Sequence, residues 1–364
     1  MAETQVRIKW QSLKAFMKEL FLRLGMSPED AEIEAEVLIW ANLRGVDSHG
    51  ALLLPWYVDN LTTGVMNPKP DIKIEKETPA TILIEADRSL GAPVTVFAMK
   101  RVMEKAKKVG VGWGIIRNVT HQGAIGYYSL MAAQAGMAGL TFTCNPPNMA
   151  PYGAKAPGVH NSPIAISVPA KRHRALLLDM ATSVVAAGKI SLAVDKKVPI
   201  PQGWALDKDG NPTTDPRQAV ILLPFGGAKG SGLAMMFECL SGVMSGNPLL
   251  SPSLLGTDAA AAKPSEPKPR PGHASRHIQN SVVAAINIGT FTDVESYKEH
   301  IDNLIDGIKA LPKAEGVSEI FVPGEPEWRT YDERSKNGIP LPDGTVQNLR
   351  RVADRVKINL PEGL

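Results

Sequence analysis

Leu13, Phe16, Met17, Leu20, Phe21 and Leu24 recur at three- and four-residue intervals and predict an amphipathic helix over residues 10–25, stopped at Gly25. Ser27 then precedes Pro28, Glu29 and Asp30. A capping hydroxyl, a proline in the first turn and acids at the positive end of the dipole predict a second helix to about Leu43. The polar run RGVDSHG, residues 44–50, separates it from a third helix expected from Ala51 to about Thr62. Beyond this point the apolar period shortens. Strands are expected at Ile72–Glu75, Ala80–Glu85, Val111–Arg117, Leu140–Thr143, Ile164–Val168, Leu176–Met180 and Ser281–Ile288. Helices are expected over Val94–Lys108, Ala124–Ala135, Ser183–Val194, after the glycine loop at 226–232, over Val294–Leu311 and over Val346–Val356. Residues 199–216 read as a turn-rich loop. Residues 257–275, rich in Ala, Pro and Lys, read as an exposed loop.

Helices and strands therefore alternate, which predicts an α/β protein, but without the spacing of a repeated βαβ unit. The organising stretch is 110–189, where short apolar runs keep ending in polar and Gly/Pro turns that carry His, Asn, Asp and Lys. Reactive groups at strand exits point to an enzyme more than to an inert core.

Two glycine motifs invite nucleotide readings that their context excludes. GVGWG at 110–114 has its helix before it and its strand after it, the reverse of a dinucleotide fingerprint, so it reads as a helix C-cap and tight turn. GGAKGSG at 226–232 lacks the frame of a phosphate-binding Walker loop. No HExxH, GxSxG or Cys/His cluster occurs in sequence, so no metal is expected. The chain has 40 Lys and Arg against 37 Asp and Glu among 364 residues; a net charge of +3 gives no footprint for nucleic acid. Two cysteines, Cys144 and Cys239, a charged N-terminus without an apolar signal region, and no long apolar run predict a cytoplasmic protein that does not span a membrane.

RGVDSHG, NVTHQGAIGYY, DMATSVVAAGK, GWALDKDGNPTTDP, LPFGGAKGSGLA and VPGEPE occur in this order over about residues 10–357. Together they resemble the malate/L-lactate dehydrogenase-like family, which includes ureidoglycolate and sulfolactate dehydrogenases and some cyclic-imine reductases. The resemblance implies an α/β fold that is not a Rossmann fold, with a mixed sheet and surrounding helices. It implies an intimate homodimer, or a higher oligomer, and hydride transfer between a nicotinamide and a 2-oxo or 2-hydroxy acid. On that basis residues 1–75 are expected to pack with 292–364 as one domain, and residues 76–291 to form the α/β cofactor-binding domain, with 257–275 as its exposed loop.

Ketone reduction needs a proton donor at the carbonyl and a cation or hydrogen-bond donors for the carboxylate, and histidine titrates in the right range. The resemblance makes His121 the acid/base residue and His49, next to Ser48, a second active-site histidine; either could exchange the proton, and His121 is favoured. Lys189 closes DMATSVVAAGK where imine reductases of the family carry Asp, which favours the ketoacid branch. The cofactor residues implied are Asn145, Asp179, Met180, Ala181, Lys229, Pro323, Gly324 and Glu325. Glu325 could accept a ribose hydroxyl, a lean to NAD with NADP left open.

Two departures bear on specificity. Leu53 stands where many members of the family place an Arg that grips the substrate carboxylate, which argues against plain malate or lactate. Arg44 is a candidate replacement. In HNSPIAI the family's Gly and Asn give way to His160 and Ser162, both expected at the pocket wall with Ser48, His49 and Leu53. The expected function is an NAD(P)-dependent 2-hydroxyacid dehydrogenase with altered specificity. Reduction of a cyclic imine carboxylate is the second enzymatic reading, and a catalytically silent cofactor-binding protein the non-enzymatic one.

Overall fold

A computed structural model describes residues 6–257 and 278–364. The chain opens with β1 (Val6–Ile8), α1 (Trp10–Arg23) and α2 (Pro28–Leu43), passes through two single 3-10 turns, Asp47–His49 and Ala51–Leu53, and enters α3 (Leu54–Thr62). The Ser27 hydroxyl accepts the Asp30 N–H at 3.1 Å, so α2 starts as its sequence predicts. Next come β2 (Lys73–Glu77), β3 (Thr81–Glu85), α4 (Gly91–Val109), β4 (Val111–Val119), α5 (Gly126–Gln134), β5 (Ala138–Cys144), β6 (Ile164–Val168), β7 (Leu176–Met180) and α6 (Ala187–Lys196). Three two-residue strands follow, β8 (Ala205–Leu206), β9 (Pro212–Thr213) and β10 (Ile221–Leu222). Helix α7 (Ala228–Glu238) runs on through a π-helical turn, Cys239–Val243, to the short α8 (Leu250–Leu254). The last elements are β11 (Gln279–Ile286), α9 (Val294–Lys309), α10 (Glu325–Asn337), β12 (Ile339–Leu341) and α11 (Asp343–Val356).

Seven strands form one mixed sheet in the order β2-β3-β4-β11-β5-β6-β7. Among them β3 and β4 are parallel, joined over α4; the other neighbours are antiparallel. Strand β11 occupies the centre, with Val283 opposite Gly114 of β4 on one side and Thr141 of β5 on the other. Val94, Ala98, Met99 and Val102 of α4 and Tyr128 and Ala132 of α5 cover one face, packed on Ile84, Ile116 and Val283. Phe237 of α7 stacks on Phe142 of β5 on the other face, with ring centroids 4.4 Å apart. The architecture is thus a mixed α/β layering, as expected.

The GVGWG glycines are explained by this packing. Gly110 ends α4 at φ 90°, and a Cβ on Gly112 would lie 2.0 Å from the Val102 carbonyl oxygen. They let helix and strand touch, and helix α4 precedes strand β4 as the order of the motif required. A separate core joins Leu13, Met17, Leu20 and Phe21 of α1 to Leu38 of α2, to Leu54 and Tyr57 of α3, and to Ile339, Leu341 and Leu349 near the C-terminus.

Several elements lie outside the sequence expectations. Helix α10 has no buried residue, and its one apolar pair, the partly buried Trp328 and Tyr331, is too short to make an apolar stripe. Strands β1 and β12 pair with each other over only three residues. The turn-rich loop and the residues just after it hold the small sheet β10-β8-β9, which packs on Met149, Val159 and Ala234. Helix α6 starts at Ala187 rather than Ser183, because Ser183 bridges to Pro224 instead. Of the loop expected at 257–275, all but Thr257 lies outside the described residues.

Candidate active site

The RGVDSHG turn is held by two side chains, Asn42 and Arg334. Asn42 donates to Asp47 Oδ1 at 2.7 Å and accepts the Ala51 N–H at 2.8 Å, while Arg334 of α10 grips Asp47 at 2.7 and 3.0 Å. A Cβ on Gly50 would overlap the Asn42 side chain at 2.2 Å, so this turn needs glycine for space. Ser48 and His49 sit on the bracketed turn, with Ser48 Oγ 3.0 Å from His49 Nδ1. Burial pushes the His49 pKa down, so its ring is held neutral.

His121 follows β4 in a loop that returns to the start of α4, where the Gly91 N–H donates to the His121 carbonyl at 3.1 Å. Its Nδ1 lies 2.7 Å from the Tyr57 hydroxyl and accepts the Gly123 N–H at 3.3 Å. A backbone N–H can only donate, so Nδ1 is an acceptor, Tyr57 donates to it, and the ring proton is assigned to Nε2. The His49 and His121 rings stack with centroids 5.7 Å apart and planes 22° apart, and Trp56 closes the far side edge-on at 5.5 Å. A Cβ on Gly188 would lie 2.3 Å from Ser48 Cβ, so the start of α6 presses directly on this turn. Lys189, the next residue, is exposed. Ser48, His49 and His121 are therefore brought together, with Lys189 one residue from the contact. Leu53 is partly buried against the helical core.

The expected cofactor residues gather along β7, most of them at its exit and residues 323–325 beside its first residues. Asn145 and Asn148 both donate to Asn161 Oδ1, at 3.3 and 2.9 Å. The Asn161 carbonyl accepts the Thr182 N–H, just after Asp179, Met180 and Ala181. The Thr182 carbonyl in turn accepts Phe225 N–H, which fixes the glycine loop, and a Cβ on Gly230 would lie 2.5 Å from the same carbonyl oxygen. Pro323 accepts the Leu177 N–H at 3.2 Å, and Gly324, at φ 85°, lies against Leu177. Asp179 accepts the Gly126 N–H at 2.9 Å.

Two details differ from the simplest reading of these motifs. The N–H groups of Gly227, Lys229 and Gly230 are taken up by Pro224, Gly226 and Phe225 within the turn, which leaves the exposed Lys229 ammonium as the cation this motif presents. The Glu325 carboxylate is already paired with Lys309 at 2.7 Å and Arg329 at 2.8 Å, which hold its pKa down against the rise from burial.

His160 and Ser162 are fully buried rather than set on a pocket wall, because the irregular segment leading into β6 turns both inward on either side of Asn161. His160 Nε2 lies 3.4 Å from Ser162 Oγ and 3.8 Å from Glu238 Oε2, and burial lowers its pKa. The Glu238 carboxylate receives the Leu249 and Leu250 N–H groups at 2.6 and 3.1 Å. Donor atoms of Cys144, His160 and Glu238, far apart in sequence, all lie within 4.8 Å of one another. Arg44 is buried between the rings of Trp40 and Trp328, at 4.9 and 4.4 Å, and its Nη1 has no hydrogen-bond partner among the described residues. Burial brings its pKa down to about 10.

Sequence reasoning missed Tyr57 and Glu34. Glu34 is buried in α2, accepts the Ala92 N–H at 3.3 Å and lies against the Tyr57 hydroxyl; burial pushes its pKa up to about 8. The available signal was its spacing. Glu34 shares the inward stripe of Ala31, Leu38 and Ala41, and Tyr57 that of Leu54, Val58 and Leu61.

Comparison with known proteins finds that the malate/L-lactate dehydrogenase family profile matches residues 8–350. L-sulfolactate dehydrogenase of Methanocaldococcus jannaschii is 40% identical over 98% of this chain and 98% of that protein. A solved structure of sulfolactate dehydrogenase from that organism aligns with a TM-score of 0.83, at 38% identity over 97% of this chain and 98% of the other. Malate dehydrogenase of Pyrococcus horikoshii is 37% identical over 100% of this chain and 98% of that protein. The solved delta1-piperideine-2-carboxylate reductase of Pseudomonas syringae aligns with a TM-score of 0.80, at 25% identity over 95% of this chain and 99% of the other.

Proposed function

Because this chain belongs to the malate/L-lactate dehydrogenase family, we propose that it is an NAD(P)-dependent dehydrogenase interconverting a 2-oxoacid and a 2-hydroxyacid. The observation that carries this is the stacked pair of His49 and His121 beside Ser48, each ring oriented by a hydrogen bond. His121 exchanges the substrate proton at Nε2, since Tyr57 and Gly123 occupy Nδ1. His49, kept neutral by burial, donates a hydrogen bond to the substrate. Lys189, beside the Gly188–Ser48 contact, supplies positive charge for the carboxylate or the developing alkoxide.

A bound nicotinamide would give or take the hydride at substrate C2. Asn145, Asp179, Met180, Ala181, Lys229, Pro323, Gly324 and Glu325 would hold it. Their fit rests on three segments that meet at the exit of β7 with a fourth, 323–325, along the start of the same strand, on the exposed Lys229 ammonium for phosphate, and on the close approach that Gly324 permits. NAD is the assigned cofactor; the cations paired with Glu325 keep NADPH in the test.

No helix among the described residues is long and apolar enough to cross a membrane. Free Cys144 and Cys239 support a reducing, cytoplasmic setting. Met235, Met236, Leu240, Val243 and Met244 leave one stretch of apolar surface exposed, which supports a homodimer.

Initial rates with NADH and NADPH against pyruvate, oxaloacetate, branched 2-oxoacids, sulfopyruvate and piperideine-2-carboxylate test the assignment, with Leu53→Arg run beside wild type. Pyruvate and oxaloacetate are expected to be poor wild-type substrates, and the Arg to improve oxaloacetate by roughly ten-fold or more. Fast oxaloacetate turnover by wild type would show that another group grips the carboxylate. Turnover of the cyclic imine alone would transfer the assignment to the reductase reading, which the Pseudomonas neighbour favours and Lys189 opposes. No turnover of any member would leave the silent cofactor binder.

A further inference from the structure

Glu34 is 1% exposed in the middle of α2, on a stripe whose other members are apolar. A carboxyl there is costly unless its hydrogen bonds are used. Its Oε2 takes a long bond, 3.3 Å, from Ala92 at the start of α4, and the carboxyl also meets the Tyr57 hydroxyl. Tyr57, fully buried on α3, places that same hydroxyl 2.7 Å from His121 Nδ1. Three groups on three separate elements thus make a continuous line from the core to the site histidine.

We infer that Glu34 and Tyr57 are positioning residues that relay a proton to and from the buried nitrogen of His121 while its outer nitrogen exchanges one with the substrate. The inference rests on the proton-carrying role proposed above for His121. When a 2-oxoacid is reduced, the Nε2–H bond breaks toward the substrate oxygen as hydride reaches the carbon. The Tyr57 hydroxyl proton moves to Nδ1, and the Glu34 carboxyl proton moves to the Tyr57 oxygen. The imidazole ends neutral, Tyr57 is restored, and Glu34 ends as a carboxylate. Oxidation of a 2-hydroxyacid runs the three transfers in reverse, beginning with Glu34 ionised. Neither direction leaves a charged ring, an imidazolate after reduction or an imidazolium after oxidation; the change of charge falls on Glu34 instead. Burial keeps Glu34 protonated through neutral pH, the state from which reduction starts.

The other titratable groups facing this line are His49 beside the His121 ring, Asp30 one turn away on α2, and Tyr128 on α5. Glu34→Gln and Tyr57→Phe leave all three in place and barely change side-chain volume.

The test compares these two variants, their combination and His121→Asn with wild type. It measures kcat and KM in both directions across the pH range, thermal melting, and the ring ¹⁵N shifts of His121 in histidine-labelled protein. Both single variants are expected to lower kcat roughly ten-fold or more with KM within about two-fold, and to displace the same limb of the pH profile. The double variant should be no worse than the more damaged single one. The nitrogen shifts should report Nε2–H in wild type and a displaced titration in both variants. If well-folded Glu34→Gln and Tyr57→Phe keep the wild-type pH profile while His121→Asn is inactive, the relay is wrong and the role of His121 stands. If His121→Asn retains turnover, that role fails and the relay with it. Unchanged His121 titration in both variants overturns the relay even without a known substrate.

Discussion

Folding takes the Glu34 carboxyl out of water, and its pKa rises from an ordinary 4.5 to about 8. The folded chain therefore holds a proton that the unfolded chain releases above 4.5. Stability linked to this group is complete in acid and is lost as pH climbs from 4.5 to about 8. Urea midpoints of wild type and Glu34→Gln, measured across that window, should diverge, with wild type falling relative to the Gln form. His49 and His160 have depressed values and pull in the opposite direction, but they do so in both proteins. Parallel curves would mean that Glu34 is solvated after all. At this scale the sequence was most readable where polar side chains sit in a glycine-bracketed turn, as with Ser48, His49 and His121, which the fold brings together. It was least readable where a polar group occupies a core position: Tyr57 and Glu34 look like packing, and His160 and Ser162 look like lining until the segment ahead of β6 turns them inward. Leu53 is a different case, since its identity was plain and only its neighbours had to wait for the fold.

Helix α4 has an odd first residue. Glycine is a poor helix former, and Gly91→Ala should gain about 1 kcal/mol from propensity alone. Yet a Cβ there would stand 2.4 Å from the His121 carbonyl oxygen. The contact is expected to win: Gly91→Ala should melt lower than wild type and lose activity by moving the His121 loop. A stabilised, fully active Ala variant would show that the loop yields without consequence. Gly188 presents the same conflict against Ser48 at the start of α6, and Gly188→Ala should likewise melt lower than wild type and lower kcat/KM by roughly ten-fold or more. The elements that escaped the sequence share a cause. Helix α10 advertises itself through Pro326 and its first-turn acids, not through a stripe, and the strands β8 to β10 are too short for any period to register. Apolar periodicity needs both length and a buried face: the helix has no buried residue, and the strands, though mostly buried, are two residues long.

At the level of the whole molecule, the alternation of helices and strands followed from the order of apolar runs and the mixed sheet from the family resemblance, but the pairing of strands followed from neither. Nothing in the run Gln279–Ile286 says that it lies between β4 and β5 rather than at an edge. The exposed Met235, Met236, Leu240, Val243 and Met244 give the proposed dimer a concrete check. Met236→Glu with Val243→Glu should halve the mass measured by light scattering without lowering the content of secondary structure. An unchanged mass would place the subunit contact elsewhere. The central position of β11 also has a consequence in time. A ribosome that has released the chain as far as Leu255 has made β2-β3-β4 and β5-β6-β7 but not the strand that joins them. The inner edges of both half-sheets then stand open to pairing with other nascent chains. Synthesis must pass residue 286 before they can be zipped together, so a pause in translation ahead of β11 would be the dangerous moment in the life of this protein.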